Sequence, residues 1–262
     1  MMMDALAKRE KRAKLVFSLL IAVLSFAYGC APRVVPPQPP VADGIEAPVW
    51  RELPFDESCS ADQAETWELS AANDPQALLY GAACAVAVAE RADTGSAALD
   101  AAERGRRLAN ASVDRWPHSA AAHYLLAYAT GLVAEQRPLQ GLELVPIIER
   151  EAQLAAGLDA TIDDGGPERM LGDLYLRAPG FPVSIGDSAL AVEHFGRAVE
   201  MAPDKSANRL GLIEALLAEE QLPAACDELS VLFASFAPVT STEQWGRAID
   251  LQQRLCGRLE AQ

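Results

Sequence analysis

LGDLYLRAPGFPVSIGDSALAVEHFGRAVEMAP, residues 171–203, is the stretch of sequence that decides the fold. Its small and large apolar residues recur at helical spacing in two segments, with Leu171, Gly172 and Tyr175 in the first and Ala191, Phe195, Ala198 and Pro203 in the second. Small residues let two helices approach closely, larger ones fill the space between them, and a proline ends the second helix. The stretch therefore predicts two helices that pair as a hairpin.

The same order of residues returns further along the chain. Residues 212–238, LIEALLAEEQLPAACDELSVLFASFAP, again place leucine and alanine at helical spacing and end on a proline. Two such hairpins resemble the tetratricopeptide repeat, a helix–turn–helix unit of about 34 residues that stacks on its neighbours. HSAAAHYLLAYATGLVAEQ, residues 118–136, is compatible with an earlier and more degenerate copy. A generic array of helices is the alternative.

Helical spacing continues through almost all of the chain from about residue 60. Alanine and leucine recur three and four positions apart, and runs of β-branched residues are scarce. Breaks fall at NDP (73–75), DDGG (163–166) and APDKS (202–206). We interpret DDGG as a turn, because it lacks the alternating oxygen ligands of a calcium loop. The pattern predicts about ten helices, near residues 60–70, 75–92, 95–115, 118–136, 139–158, 166–177, 187–201, 204–219, 222–236 and 240–260. The predicted fold is all-α, a tetratricopeptide-like array of helical hairpins, or α-solenoid.

The first 29 residues have the features of a secretory signal peptide. Five basic residues lie between Lys8 and Lys14, and fifteen uncharged, mostly apolar residues follow, from Leu15 to Gly29. A membrane-spanning helix needs about 20 such residues, so this segment is short for that role. A basic start, a short apolar middle and small residues at the end are typical of a cleaved signal.

The residues around Cys30 resemble a bacterial lipobox. Ala27 and Gly29 precede the cysteine, as in sequences where a signal peptidase cuts before a cysteine whose thiol carries a diacylglycerol. The resemblance implies that Cys30 is the mature N-terminus and a lipid anchor. Ala31, rather than an aspartate, follows it, which implies the outer membrane. An ordinary cleaved signal and an uncleaved anchor helix are the alternatives.

Residues 30–58 are predicted to form a tether in which no core can form. Seven prolines fall between Pro32 and Pro54. Such a segment favours extended polyproline II, which rises roughly 3.1 Å per residue. The predicted organisation is a signal peptide at 1–29, a lipidated proline-rich tether at 30–58 and one all-helical domain at 59–262.

The charge of the chain excludes nucleic acid as a partner. The full sequence carries a net charge of −15, and removal of residues 1–29, which hold five basic and two acidic residues, leaves −18. Phosphate backbones require a basic face, which this composition does not supply. After Cys30, Lys205 is the only lysine.

Four cysteines follow Cys30, and an even number in an exported protein favours disulfides. Residues equally far from the turn of an antiparallel hairpin face each other. Cys59 and Cys84 are centred on the predicted turn near residue 72, and Cys226 and Cys256 on the one near residue 241. Of the three connectivities, this symmetry favours Cys59–Cys84 and Cys226–Cys256. Buried thiols are the alternative.

The sequence has no catalytic signature, and we predict neither enzyme activity nor a cofactor. Its serines lack a GxSxG context, and no CxxC or close His–Cys cluster provides a metal site. The candidate residues for a ligand or partner surface lie on the first helices of predicted hairpins, in the long loop after residue 177, and beside Phe195. They are Tyr124, Tyr128, Tyr175, Arg177, Phe181 and His194. Core packing is the alternative, above all for Tyr175.

Residues 168–217 carry a closer resemblance. A loop with Pro179, Gly180, Pro182, Gly186 and Asp187 precedes a helix with Ala189, His194, Phe195 and Ala198. This stretch resembles the T-component (TatT-like) lipoproteins of TRAP transporters, over roughly residues 166–220. The resemblance implies an all-helical, lipid-anchored protein, built on degenerate tetratricopeptide units, that docks onto a periplasmic solute-binding protein.

Three functions remain open. The first is a non-enzymatic, lipid-anchored scaffold on the periplasmic face of the outer membrane, which binds an envelope protein such as the solute-binding protein of a TRAP transporter. The second is a general assembly lipoprotein for outer-membrane or pilus biogenesis. The third is a helical small-molecule-binding protein. A homo-oligomer is compatible with all three.

Overall fold

A computed structural model describes residues 46–48, 50, 59–92, 95–235 and 242–256 of the chain. The predicted signal peptide, Cys30 and most of the predicted tether lie outside these residues. Every helix of the described chain belongs to one compact unit, residues 40–262.

Ten α-helices account for most of the described residues. They are α1 (Ala61–Ser70), α2 (Gln76–Arg91), α3 (Ser96–Arg115), α4 (Ala120–Gln136), α5 (Pro138–Asp159), α6 (Ile162–Arg177), α7 (Ser188–Met201), α8 (Ser206–Ala218), α9 (Leu222–Ser235) and α10 (Thr242–Leu255). Within the described ranges, β pairing is limited to an isolated bridge between Gly180 and Gly186. The prediction of an all-α fold with about ten helices is confirmed.

Consecutive helices pack against each other through the described array, and alternate helices also touch. α2 contacts α4, α4 contacts α6, and α6 contacts α8. This is the packing of stacked helical hairpins, in which the first helix of each hairpin rests on the first helix of the next. The even-numbered helices from α2 to α8 are therefore the first helices of successive hairpins.

Phe195 shows why residues 171–203 decide the fold. Its ring is 1% exposed and lies between Gly172 of α6 and Gly211 of α8. A Cβ atom at Gly172 would lie 2.7 Å from the ring, and one at Gly211 would also clash with it. Both neighbouring helices can approach α7 this closely only without side chains at these two positions.

Two apolar clusters fill most of the described array. The first is centred on α2, α3 and α4 and includes Leu79 and Leu125. The second is centred on α6 to α9, reaches α4, α5 and α10, and includes Phe195 and Leu229. None of the described helices combines the length and the apolar character needed to cross a bilayer.

Two residues of the predicted tether pack against the helices. Ala47 and Trp50 contact the first cluster, and the Trp50 ring lies 5.1 Å from that of Tyr80, which stacks in turn on Trp67 at 5.4 Å. Two residues of the predicted tether therefore lie against the helical core, a contact that was not predicted from the sequence. The large apolar surface of an indole favours burial even in a proline-rich segment.

The DDGG segment interrupts the helix, as predicted. α6 is numbered from Ile162, but Asp163, Asp164 and Gly165 have positive φ angles of 50°, 54° and 80°. Left-handed backbone costs a residue with a side chain roughly 1–2 kcal/mol. Two aspartates in this conformation therefore require interactions that offset the cost.

The two cysteine pairs predicted from the spacing are joined in the structure. The Cα atoms of Cys59 and Cys84 are 5.5 Å apart, and those of Cys226 and Cys256 are 5.6 Å apart. Both distances are typical of disulfides. One bridge ties the start of α1 to α2, and the other ties α9 to the end of α10, so the described array is crosslinked at both ends.

Candidate functional site

The structure divides the predicted site residues between the core and the surface. Tyr124 and Tyr175 are buried, with 1% and 7% of their area exposed. For these two tyrosines, the prediction that they lie on a ligand or partner surface is corrected, because helix packing covers their rings. Phe181 is 93% exposed, and the Arg177 side chain is 64% exposed. A role of these exposed residues in binding stays a prediction.

Tyr124 belongs to a buried polar network between α4 and the start of α6. Its hydroxyl donates to Asp163 Oδ2 at 2.7 Å, and the Arg169 guanidinium binds the same carboxylate. Arg169 also donates to the backbone carbonyl of Asp163 at 3.2 Å. The Asp163 and Arg169 side chains are only 10% and 15% exposed, so this ion pair is largely shielded from water.

Asn208 of α8 completes the network. Its Oδ1 accepts from Arg169 at 2.8 Å, and its Nδ2 donates to the carbonyls of Asp164 and Ala198, each at 2.9 Å. Lys205 reaches the Asp164 carboxylate at 3.2 Å. These bonds satisfy the carbonyl groups that the left-handed residues turn away from the helix, and so offset the cost of the kink.

The protonation states of the network follow from its contacts. Burial alone would lower the pKa of Arg169, but Tyr124 and Asp163 beside it raise that pKa, so the guanidinium stays charged. Burial raises the pKa of Tyr124 well above its ordinary value, so the phenol keeps its proton and donates it. Arg169 and Tyr124 therefore both keep their protons at neutral pH, which suits a structural role for the network.

Tyr128 lies one turn after Tyr124, is half-buried and faces α2. The two tyrosine rings are 5.8 Å apart, and the Tyr128 hydroxyl donates to Glu90 Oε1. Burial raises the pKa of Glu90, and the hydrogen bond from Tyr128 opposes the rise. The Glu90 carboxylate, although exposed, is therefore held at the contact between α2 and α4.

A further charged group joins α4, α6 and α8. Arg177 binds Asp173 at 3.2 Å and lies 3.9 Å from Glu214. Burial raises the pKa of Asp173 and of Glu135, and Arg177 opposes the rise in each. The Asp173 side chain is nevertheless 43% exposed, so solvent still reaches its carboxylate. The even-numbered helices thus carry a mainly acidic face.

Tyr175 and His194 are brought together where α6 packs on α7. Their rings are 5.2 Å apart and nearly parallel, at 21°. The Tyr175 hydroxyl donates to Glu149 at 2.6 Å, and burial together with that carboxylate raises the pKa of Tyr175 to about 12. His194 Nδ1 lies 2.7 Å from Glu168, which also accepts from Arg197 at 2.9 Å. The half-buried His194 of α7 is therefore held by two residues of α6, the Glu168 carboxylate and the Tyr175 ring.

Phe181 lies in the loop between α6 and α7, residues 178–187. The N–H of Gly186 donates to the carbonyl of Pro179 at 2.9 Å, which closes the base of the loop. Asp187 then caps α7, since its carboxylate accepts a backbone hydrogen bond from the first turn at 3.0 Å. The 178–187 loop contains a cis peptide bond before Pro182. Phe181 is exposed in this loop.

His123 and Glu151 form a second buried pair, which joins α4 to α5. His123 Nδ1 lies 2.6 Å from the Glu151 carboxylate and Nε2 lies 3.0 Å from the Pro117 carbonyl, with both side chains 5% exposed or less. Burial alone would lower the pKa of His123, but these two acceptors raise it. An imidazole with two acceptors is held best in its cationic form, so the pair acts as an internal ion pair.

Sequence reasoning missed the residues of the Tyr124 network. The DDGG segment was correctly assigned to a turn, but the Asp163 carboxylate binds Tyr124, 39 positions earlier, and Arg169 binds Asn208, 39 positions later. Local spacing carries no information about contacts at that separation. The available signal was two aspartates in a helix break with an arginine closely following.

Comparison with known proteins assigns no family. No protein-family model matches the chain, and no curated protein sequence matches it. Among the residues that the structure describes, no three histidine, cysteine, aspartate or glutamate side chains are grouped so that they could hold a metal ion. The fold defines the class, an all-α array of helical hairpins, and the TatT-like resemblance stays a prediction.

Proposed function

We propose that this protein is a non-enzymatic, lipid-anchored scaffold of the cell envelope that binds a partner protein through its helical-hairpin array. The observation that carries the proposal is the pairing of Cys59 with Cys84 and of Cys226 with Cys256 at the two ends of the described array. Disulfides form and persist outside a reducing cytoplasm, which supports export by the predicted signal peptide. Stacked hairpins present extended surfaces to proteins.

Lipidation of Cys30 is part of the proposal. Each acyl CH₂ buried in a bilayer contributes about 0.8 kcal/mol, so several chains on one cysteine hold firmly. The proline-rich residues that follow favour an extended backbone, which would let the helices stand away from the bilayer. The proposed location is the periplasmic face of the outer membrane.

The first candidate partner is the solute-binding protein of a TRAP transporter. The support is the TatT-like resemblance of residues 166–220, a stretch that contains the 178–187 loop and the helices around Phe195. An assembly lipoprotein for outer-membrane or pilus biogenesis and a helical small-molecule-binding protein stay as alternatives. TRAP permease genes beside the gene for this chain would favour the first candidate.

Isolation of the full-length protein from gently solubilised envelopes tests the proposal. We expect a partner protein to be retained in a fixed ratio, and mass spectrometry to find a diacylglyceryl group on Cys30 at the mature N-terminus. A Cys30→Ser variant is the control and should leave the membrane fraction. Recovery of free monomer alone, with an unmodified N-terminus, would contradict the proposal.

A further inference from the structure

Three neighbouring side chains in the 178–187 loop are exposed and apolar. Phe181 is 93% exposed and Val183 is 65% exposed, and Pro182 between them is also exposed. We call these three residues the apolar tip. A contiguous exposed apolar patch with polar residues at its rim is a feature of sites that contact other proteins.

The loop that carries the apolar tip is held in place at its base. The Val183 N–H donates to the Gly180 carbonyl at 3.1 Å, and the Gly186 N–H donates to the Pro179 carbonyl at 2.9 Å. Gly186 lies so close to the preceding backbone that a Cβ atom would clash there. Ile185 points the other way and packs on the cluster around Phe195. A loop ordered before binding loses little entropy on binding.

Charged side chains surround the base of the loop, and most of them are acidic. Arg177, which precedes the loop, contacts Asp173 at 3.2 Å and Glu214 at 3.9 Å. Asp187 ends the loop, and Glu219 accepts a hydrogen bond from the first residue of α7. Four carboxylates and one guanidinium therefore stand at the base of the loop that carries the apolar tip. We call these five residues the acidic rim.

We propose that the apolar tip inserts into an apolar socket of a partner protein, and that lysine or arginine borders that socket. This inference rests on the proposed scaffold function and names its point of contact. An aromatic side chain that enters a desolvated pocket is typical of the few residues that dominate binding energy. Opposite charges around such a pocket steer the partner and fix its orientation.

The charges disfavour the other two occupants of this surface. The 178–187 loop contains no lysine or arginine and the chain carries a net charge of −15, so anionic lipid headgroups would repel it. A second copy of the chain, docked through the same loop, would bring two acidic rims together. A basic-bordered socket on a different protein is the occupant that fits both the apolar tip and the acidic rim.

Photo-crosslinking in intact cells tests the contact. A benzoylphenylalanine probe replaces Phe181 in the full-length protein, and the matched control carries the probe at Leu139, which is 98% exposed at the start of α5. We expect the probe at 181 to capture one protein at an apolar pocket bordered by lysine or arginine, and the probe at 139 not to do so. A crosslink to a second copy, to lipid alone, or to nothing would overturn the proposal.

Titration with the captured protein, once it is identified and purified, gives the quantitative test. We expect Phe181→Ala to weaken binding about 10- to 100-fold, and Leu139→Ala to change it by less than about twofold. Glu214→Lys should weaken binding more than Glu143→Lys, because Glu143 is exposed on α5, outside the acidic rim. Wild-type affinity of Phe181→Ala would overturn the inference.

The failure of this inference can be told apart from failure of the scaffold function. If Phe181→Ala retains the envelope partner as firmly as the wild type does, the apolar tip is not the contact, but the scaffold function stands. If neither protein retains a partner, the scaffold function fails and the inference fails with it.

Discussion

Asp163 combines a strained backbone conformation with a buried charge. Its φ angle is 50°, and its carboxylate binds both the Tyr124 hydroxyl and the Arg169 guanidinium. Loss of the charge would leave Arg169 without its nearest counter-ion in a place shielded from water. Breaking a buried ion pair in this way typically costs about 3–5 kcal/mol.

We expect Asp163→Asn to lower the free energy of unfolding by about 3 kcal/mol. Asparagine keeps the size of the side chain and tolerates left-handed backbone, so the substitution removes the charge alone. Asp164→Asn is the matched control, since Asp164 also has a positive φ angle but its pair with Lys205 is 37% exposed on both sides. Exposed pairs contribute about 1 kcal/mol or less. Urea denaturation measures both variants, and equal losses would contradict the assignment.

At the scale of helices, the spacing of α6, α7 and α8 is set by one ring and two glycines. Phe195 fills the space that the missing side chains of Gly172 and Gly211 leave open. Gly196, which lies on α7 itself, has no atom of a neighbouring helix within 4 Å of where a Cβ would lie. Glycines of the same array therefore differ in how closely a neighbouring helix packs on them, and substitution by alanine distinguishes the two kinds.

We expect Gly172→Ala to destabilise the protein by about 1–3 kcal/mol, because the new methyl group overlaps the Phe195 ring and the helices must move apart. Gly196→Ala is the control and should stabilise the protein by about 0.5–1 kcal/mol, since alanine loses less backbone entropy in a helix than glycine does. Thermal or urea unfolding measures the two changes. The same sign for both variants would show that Phe195 does not set the helix spacing.

The helices could be predicted from the sequence because their signals are local. Apolar spacing marks each helix, DDGG marks the kink, and the distance of each cysteine from a turn marks its partner. Burial of Tyr124 could not be predicted in this way, since helical spacing shows which residues share a side of α4 but not which helix covers that side. The contact of Trp50 with Tyr80 was missed for the same reason.

For the whole molecule, the disulfides matter because of where they lie. Hairpins in a stacked array contact only their neighbours, so the terminal hairpins have a partner on one side and open more easily. In the described array the two bridges fall at these ends, with sequence separations of 25 and 30. Each bridge ties an outermost helix, α1 or α10, covalently to the neighbouring hairpin.

We expect the double variant Cys226→Ser with Cys256→Ser to lose about 3–4 kcal/mol of stability, which is the chain-entropy value for a loop of this length. Cys59→Ser with Cys84→Ser should lose a similar amount, because the loop is nearly as long. Urea denaturation with and without a reducing agent measures the effect on the wild type as well. An unchanged midpoint on reduction would show that the bridges do not stabilise the array.

Lys205 binds Asp164 at the junction of α7 and α8, and its position in the chain gives a chemical test of the disulfide pairing. It is the only lysine after Cys30, and one bridge lies wholly before it and the other wholly after it. A lysine-specific endopeptidase, applied to the denatured and unreduced protein, would therefore separate two fragments that each contain an internal crosslink, one from each side of Lys205. Cysteines paired across Lys205 would keep the two fragments in one piece, so the masses of the digest report the connectivity directly.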